Sequence, residues 1–79
     1  MSSVQFKMVR LIENIQDVVY ANKDEVLEMS FKDLNMDSLD ILDFLHQVRE
    51  EFNCNVDIEN LKQVQDKPIS TVIEHFNLI

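Results

Sequence analysis

The 79-residue sequence contains no glycine and no tryptophan, and it has only one proline and one cysteine. Phosphate-cradling loops and dinucleotide fingerprints need glycine, because their backbone approaches the ligand closely. The missing glycines therefore argue against nucleotide-binding loops of these kinds. The single cysteine, Cys54, excludes an intramolecular disulfide framework and a multi-cysteine metal site. It fits a reducing cytoplasm, and we expect it to be a packing residue without chemistry of its own.

Basic residues are also scarce, since 7 Lys and Arg stand against 15 Asp and Glu, for a formal net charge of −8. Nucleic-acid binding depends on clustered Lys and Arg, so no nucleic-acid partner is expected. An acidic surface favours protein partners with basic docking patches. The same acidity is also consistent with a simpler role in keeping a small protein soluble.

Long apolar runs are missing too, so no segment is expected to span a membrane. The stretch from Met1 to Arg10 lacks the apolar core of a signal peptide. Because the sequence starts with methionine and ends just after its last predicted helix, we expect an independent protein with a single domain, residues 1–79. A domain of this size forms one modest core and has no room for a deep cleft.

Apolar spacing predicts an all-α fold, a small four-helix bundle with three main helices and one short helix. Ser2 or Ser3 is expected to cap the first helix. Its predicted core face consists of Val4, Met8, Leu11, Ile12, Ile15, Val18 and Val19, with Arg10, Glu13, Asn14 and Asp17 mostly elsewhere. A long polar connection from Tyr20 to Asp37 follows. Its apolar residues are expected to hold it against the core: Val26, Leu27, Met29, Phe31 and Leu34.

The second predicted helix runs from about Ser38 to Phe52. Its core face consists of Ile41, Phe44, Leu45, Val48 and Phe52. A short third helix is predicted around Ile58 to Gln63, with Asp57 as its cap. A fourth begins near Pro68, a residue favoured in the first helical turn, and its apolar residues are Ile69, Val72, Ile73 and Phe76.

Ser38 stands where the polar connection meets the second helix, within Asp37-Ser38-Leu39-Asp40, so its hydroxyl is expected to face solvent. A serine nucleophile needs a base and an orienting acid. The chain offers only His46 and His75 as bases, and no glycine for an oxyanion turn. We therefore predict that another enzyme modifies Ser38 and that the chain is not itself an enzyme. Neither histidine has a partner at ligand spacing, so no metal site is expected.

Leu39 falls outside the predicted core face, on the side of the second helix that carries Asp43, His46 and Glu50. Two interpretations are open. In one, Leu39 is an exposed apolar contact within an acidic rim of Asp37, Asp40 and Asp43, which describes a docking surface. In the other, Leu39 folds back onto Met36 or Leu34 as a hydrophobic staple. Leu42 lies between the core and polar faces.

The segment Leu34-Asn35-Met36-Asp37-Ser38-Leu39-Asp40, with a helix ending in Glu50-Glu51-Phe52, resembles the acyl carrier protein family. The resemblance covers nearly the whole chain and includes its length, acidity, helix order and serine position. It implies that a phosphopantetheinyl transferase attaches 4′-phosphopantetheine from coenzyme A to Ser38. The thiol of this arm then holds an acyl or aminoacyl group as a thioester, in fatty acid, polyketide or related biosynthesis.

The resemblance also implies site residues and partners. Asp37 and Leu39 flank Ser38 within the motif. Partner enzymes are expected to contact Leu39, Asp40, Leu42, Asp43, His46, Arg49 and Glu50. These enzymes load, condense and transfer acyl groups through basic docking patches, and the carrier itself is expected to be a monomer.

Three residues depart from the family's usual pattern. Asn35 replaces a glycine before the motif, and asparagine tolerates a left-handed backbone better than most residues. His46 and Arg49 stand where fatty-acid carriers commonly have apolar and acidic residues, which favours a specialised pathway such as a polyketide or hybrid peptide assembly line. The alternative function is a helical protein-interaction module without a prosthetic group, in which Ser38 is only a helix cap. The cargo, and whether the bundle encloses it, are left open by the sequence.

Overall fold

The computed structural model describes residues 2–76, and the chain ends on either side of this range lie outside the described residues. Five helices form within it, and no strand: α1 (Ser3–Gln16), α2 (Lys23–Leu27), α3 (Ser38–Phe52), α4 (Ile58–Lys62) and α5 (Ile69–His75). α1 packs against α2, α3 and α5, while α4 packs against α3. The predicted all-α bundle is confirmed, with one further short helix.

The additional helix, α2, lies within the predicted polar connection. Its cap is Asn22, whose side-chain oxygen accepts a hydrogen bond of 3.3 Å from the Glu25 N–H. Five residues are too few to show helical periodicity, which explains why the spacing of apolar residues did not reveal α2. The expectation that apolar residues hold the connection to the core is confirmed: Val26, Leu27, Phe31 and Leu34 are buried, and Met29 is partly buried.

Reciprocal hydrogen bonds cap the start of α1. The Ser2 hydroxyl accepts from the Gln5 N–H at 3.2 Å, and the Gln5 side chain accepts from the Ser2 N–H at 2.9 Å, which is a capping box. The helix ends at Gln16, because Asp17 takes a left-handed conformation with φ 55°. This turn breaks the helical period. The prediction that Val18 and Val19 belong to the core face is therefore wrong, since they are 44% and 85% exposed.

A single hydrophobic cluster fills the space between the helices. From α3 it takes Phe44, Leu45 and Val48, with Ile41 and Phe52 partly buried at its edge. Phe44 packs edge-on against Phe31 of the connection, with ring centroids 5.1 Å apart.

The fourth predicted helix is confirmed as α5: it begins directly after Pro68, and Ile69, Val72, Ile73 and Phe76 are buried. Asp57 caps α4 as expected, by accepting from the Asn60 N–H at 2.9 Å. Cys54 is half-buried and packs against the cluster.

Glu13 was expected on the polar side of α1, but it is 5% exposed. Its Oε2 accepts a hydrogen bond of 2.7 Å from Lys23 Nζ and one of 2.8 Å from the Tyr20 N–H. Arg10 Nε lies 3.7 Å from Oε1. The hydrogen bond from Lys23 is the main cause that lowers the pKa of Glu13, and burial opposes it. The charge is tolerated in the interior because every one of these contacts favours the ionised form.

A chain of hydrogen bonds continues from this ion pair towards α3. The Tyr20 hydroxyl donates to the Gln16 side-chain oxygen, and the Gln16 amide donates to the Leu34 carbonyl. Burial and the nearby Glu13 charge raise the pKa of Tyr20. Because Leu34 lies a few residues before α3, these bonds connect the end of α1 to the loop that leads into Ser38.

Candidate functional site

The loop before α3 is held by its own hydrogen bonds. The Ser30 hydroxyl accepts from the Asp33 N–H, and the Asp33 carboxylate accepts from the Ser30 N–H, both at 3.2 Å. The Met36 N–H then donates to the Phe31 carbonyl at 3.0 Å. Asn35 has a left-handed conformation with φ 59°, which asparagine tolerates better than most residues. The direction in which the chain enters α3 is thus set within the loop.

Asp37 is the cap of α3. Its Oδ1 accepts from the Asp40 N–H at 2.9 Å, and its carbonyl accepts from the Ile41 N–H at 2.9 Å. Ser38 is the first residue of the helix and is exposed, as the sequence indicated. The N–H groups of Ser38 and Leu39 precede the first intrahelical bonds and lie at the positive end of the helix dipole. An anionic group on the Ser38 oxygen would meet a favourable electrostatic environment there.

Two leucines are exposed immediately after Ser38. Leu39 is 76% exposed and Leu42 is 51% exposed. The exposure of Leu39 contradicts the interpretation in which it folds back onto Met36 or Leu34 as a hydrophobic staple. Its role in docking stays a prediction. Two exposed leucines one turn apart form a continuous apolar strip on α3.

Charged residues surround this strip. Asp43, His46 and Glu50 are exposed, and Asp40 is half-exposed. Asp43 accepts a hydrogen bond of 3.2 Å from the Gln47 side chain. The His46 ring Nε2 lies 3.2 Å from a Glu50 carboxylate oxygen one turn away. We call the surface formed by these residues the docking face: Leu39, Asp40, Leu42, Asp43, His46 and Glu50.

Arg49 differs from the other residues that were expected to face a partner. It is exposed, but its Nε donates a hydrogen bond to the Val56 carbonyl in the loop before α4. The guanidinium group therefore has an internal role, because it holds that loop against α3. Spacing along α3 could not indicate this contact, since Val56 lies beyond the end of the helix.

Two neighbouring open grooves lie at the start of α3, and Ile41 and Gln65 line both of them. The α3–α4 groove encloses about 250 Å³ and is lined by Ser38, Ile41, Leu42, Ile58, Lys62 and Gln65. The loop groove encloses about 400 Å³ and is lined by Phe31, Lys32, Asn35, Met36, Asp37, Ile41, Gln65 and Asp66. Sequence reasoning missed Ile58, Lys62 and Gln65 as neighbours of Ser38. They follow it by 20 or more positions, and no local pattern connects them to it.

The residues around Ser38 fit a flexible arm attached through a phosphodiester. Ser38 is exposed, the helix start favours the phosphate charge, and the same residue lines the α3–α4 groove. Isoleucine and leucine side chains line this groove, and Lys62 and Gln65 supply polar groups. An arm with amide groups and an apolar cargo would find suitable contacts for both.

Other kinds of site find no support in the described part of the chain. Residues 2–76 contain no cluster of three or more His, Cys, Asp or Glu side chains that could hold a metal ion. Among the described helices, none combines the length and the apolar character that crossing a membrane requires.

Comparison with known proteins gives a family match and several similar relatives. Residues 9–75 match the family described as "Phosphopantetheine attachment site". The chain is also similar to the acyl carrier proteins of Lactococcus lactis subsp. cremoris strains MG1363 and SK11 and of subsp. lactis strain IL1403. Each is 37% identical over 62 residues, a stretch that covers 71% of this chain and 85% of the relative. No solved structure matches the chain.

Proposed function

The chain belongs to the acyl carrier protein family, whose members carry covalently attached 4′-phosphopantetheine, and on that premise we propose that Ser38 is the attachment residue. The observation that carries the proposal is the position of Ser38. It is an exposed residue at the first position of α3, next to the Asp37 cap, and it lines the α3–α4 groove. The family match over residues 9–75 includes this region.

The attachment step uses the Ser38 hydroxyl as a nucleophile in the active site of a phosphopantetheinyl transferase. The serine oxygen forms a bond to the phosphorus next to the pantetheine unit of coenzyme A. The phosphoanhydride bond breaks, adenosine 3′,5′-bisphosphate leaves, and the serine proton passes to a base of the transferase. When bound, the group supplies a thiol that holds acyl or aminoacyl cargo as a thioester. The α3 N-terminus stabilises the phosphodiester charge.

The docking face supports a proposal about partners. Leu39 and Leu42 offer an apolar contact beside the attachment residue, and Asp40, Asp43 and Glu50 surround it with negative charge. This pattern fits the transferase and acyl-loading, condensing and transferring enzymes that have basic patches. Complementary charge accelerates the encounter of carrier and partner, whereas the leucines supply affinity once the partner buries them. The tether raises the local concentration of cargo at each partner's active site.

The function that follows is that of a carrier and not of a catalyst. His46 lies two turns from Ser38 along α3, about 12 Å in rise, which is too far for a serine–histidine contact. We propose that residues 1–79 act as one monomeric carrier domain in the cytoplasm, where the single cysteine would stay reduced. The Lactococcus relatives are acyl carrier proteins by name, whereas His46 on the docking face favours a polyketide or hybrid peptide pathway over ordinary fatty acid synthesis.

Intact-mass measurement tests the proposal. The folded protein is incubated with coenzyme A and a broad-specificity phosphopantetheinyl transferase, and we expect the mass to increase by one phosphopantetheine group. Ser38→Ala should abolish the increase. Ser3→Ala is the matched control, because Ser3 is also exposed and is also the first residue of a helix. It should be modified like the wild type.

The same experiment distinguishes the alternative functions. A folded wild-type chain that gains no mass would favour the helical interaction module, with Ser38 as a simple helix residue. Release of product from an activated ester, lost in Ser38→Ala, would instead indicate a hydrolase. We expect no such turnover, because no hydrogen bond among the described residues joins the Ser38 hydroxyl to a histidine that could activate it.

A further inference from the structure

Lys62 is the cationic side chain that lines the α3–α4 groove together with Ser38. It is exposed and is the last residue of α4, where the helix dipole favours a positive charge. None of the ion pairs formed among residues 2–76 includes it. In a chain with 15 acidic residues, a lysine without an ion-pair partner beside the attachment residue has its ammonium group available for an added anion.

A second lysine provides the comparison within the same molecule. Lys32 is also exposed, also lines a groove at the start of α3 and also takes part in none of those ion pairs. Its groove, however, is lined by Asp37 and Asp66 and does not include Ser38. The two lysines therefore match in charge and exposure, and they differ in whether Ser38 lines the same groove.

We propose that the Lys62 ammonium group pairs with the phosphodiester on Ser38 and thereby directs the prosthetic arm along the α3–α4 groove. Lys62 is a positioning residue in this role, and the inference rests on the proposed attachment at Ser38. The pairing joins α4 to the start of α3 through the arm and gives the arm a preferred side. Near the protein surface, such a charge pair has a modest but measurable strength.

A thermodynamic cycle tests the pairing on the modified protein itself. Thermal midpoints are measured for unmodified and modified forms of wild type, Lys62→Gln and Lys32→Gln, after intact mass has confirmed attachment in each. For each variant, the thermal midpoint of the unmodified form is subtracted from that of the modified form. We expect this difference to be lower in Lys62→Gln than in wild type by about 1–5 °C. Lys32→Gln should match wild type within about 1 °C. Lys62→Arg should restore the wild-type value.

A direct reading comes from NMR chemical shifts of the two lysine side chains. The phosphodiester should change the side-chain chemical shifts of Lys62 on modification, because a nearby anion changes the electrostatic environment of the ammonium group. The chemical shifts of Lys32 should change less. Modified protein with unchanged Lys62 values, or with equal changes in both lysines, would overturn the pairing and leave attachment at Ser38 intact. Absence of the added mass would overturn both proposals.

Discussion

Two polar regions of this small protein use charge in opposite ways. The Glu13 corner, formed by Glu13, Gln16, Tyr20 and Lys23, is largely buried, and each of its members donates or accepts a hydrogen bond within the chain. At the docking face, charged side chains and two leucines are exposed, with short-range contacts along α3 alone. The buried corner holds the helices and the loop before Ser38 in place. The exposed face leaves its charges and leucines in solvent, where we propose that partner enzymes contact them.

The physical reason for the contrast is the cost of taking charge out of water. An ion in the interior must recover its lost hydration from fixed partners, so the Glu13 corner is intolerant of change. Exposed charges keep their hydration and contribute little to stability. Substitutions should therefore have opposite consequences in the two regions, affecting folding at the first and partner recognition at the second.

The largest effect is expected from Glu13→Ala. The substitution leaves Lys23 and the Tyr20 N–H without their carboxylate partner, so we expect the free energy of unfolding to fall by about 2–4 kcal/mol. Glu50→Ala is the control, because Glu50 belongs to an exposed pair with 71% of its side chain in solvent. Its cost should stay within about 0.5 kcal/mol. Urea unfolding measures both, and equal losses would contradict the distinction between the two regions.

Charge reversal at the docking face should have the converse effect. Asp40→Lys combined with Asp43→Lys should slow attachment of phosphopantetheine by about tenfold or more, because the attraction to basic partners is lost. Helix content should be unchanged. The control is Asp24→Lys combined with Glu28→Lys, which changes the net charge by the same amount. Asp24 is in the first turn of α2, as Asp40 is in the first turn of α3. Initial rates from intact-mass time courses compare the pairs, and equal slowing would mean that overall charge alone matters.

Acid should weaken the Glu13 corner once it protonates the Glu13 carboxylate. The pKa of Glu13 is lowered below its ordinary value of 4.5 in the folded protein, so the folded state holds its proton less tightly than the unfolded state. The resulting stabilisation is fully present above pH 4.5 and is lost as the pH falls through the folded pKa. The difference in urea stability between wild type and Glu13→Gln should therefore shrink from pH 7 to about pH 3. A constant difference would show that ionisation of Glu13 does not contribute.

The smallest effect concerns Asn35, at the loop that links the two regions. Asn35→Ala should cost about 1 kcal/mol, because alanine is strained at a left-handed position. Asn35→Gly should be neutral within a few tenths of a kcal/mol, since glycine adopts positive φ without a steric penalty. Urea unfolding of the two variants gives the comparison. Equal stability of alanine and glycine would mean that the left-handed turn is not maintained in solution.

Much of the molecule follows from local sequence. Ser2 and Asp57 cap their helices as expected, and α3 has the predicted bounds. These features depend on contacts within a few residues. The two predictions that failed, the missed helix α2 and the core assignment of Val18 and Val19, have equally local reasons. α2 is too short to show a helical period, and the left-handed Asp17 ends α1 before the two valines. The exposure of Leu39 needed the fold, because a staple and a docking contact use the same residues.

By itself, the sequence determined the helical class, the acidic surface and an exposed serine at a helix start, because periodicity, composition and capping act over short distances. The tertiary structure alone decided that Glu13 is buried, that Arg49 holds the loop at Val56 and that Lys62 shares a groove with Ser38. Each of these depends on the packing of separate helices and loops. Relations of this kind have no signature in residue spacing, since they arise when the core closes and brings distant segments together.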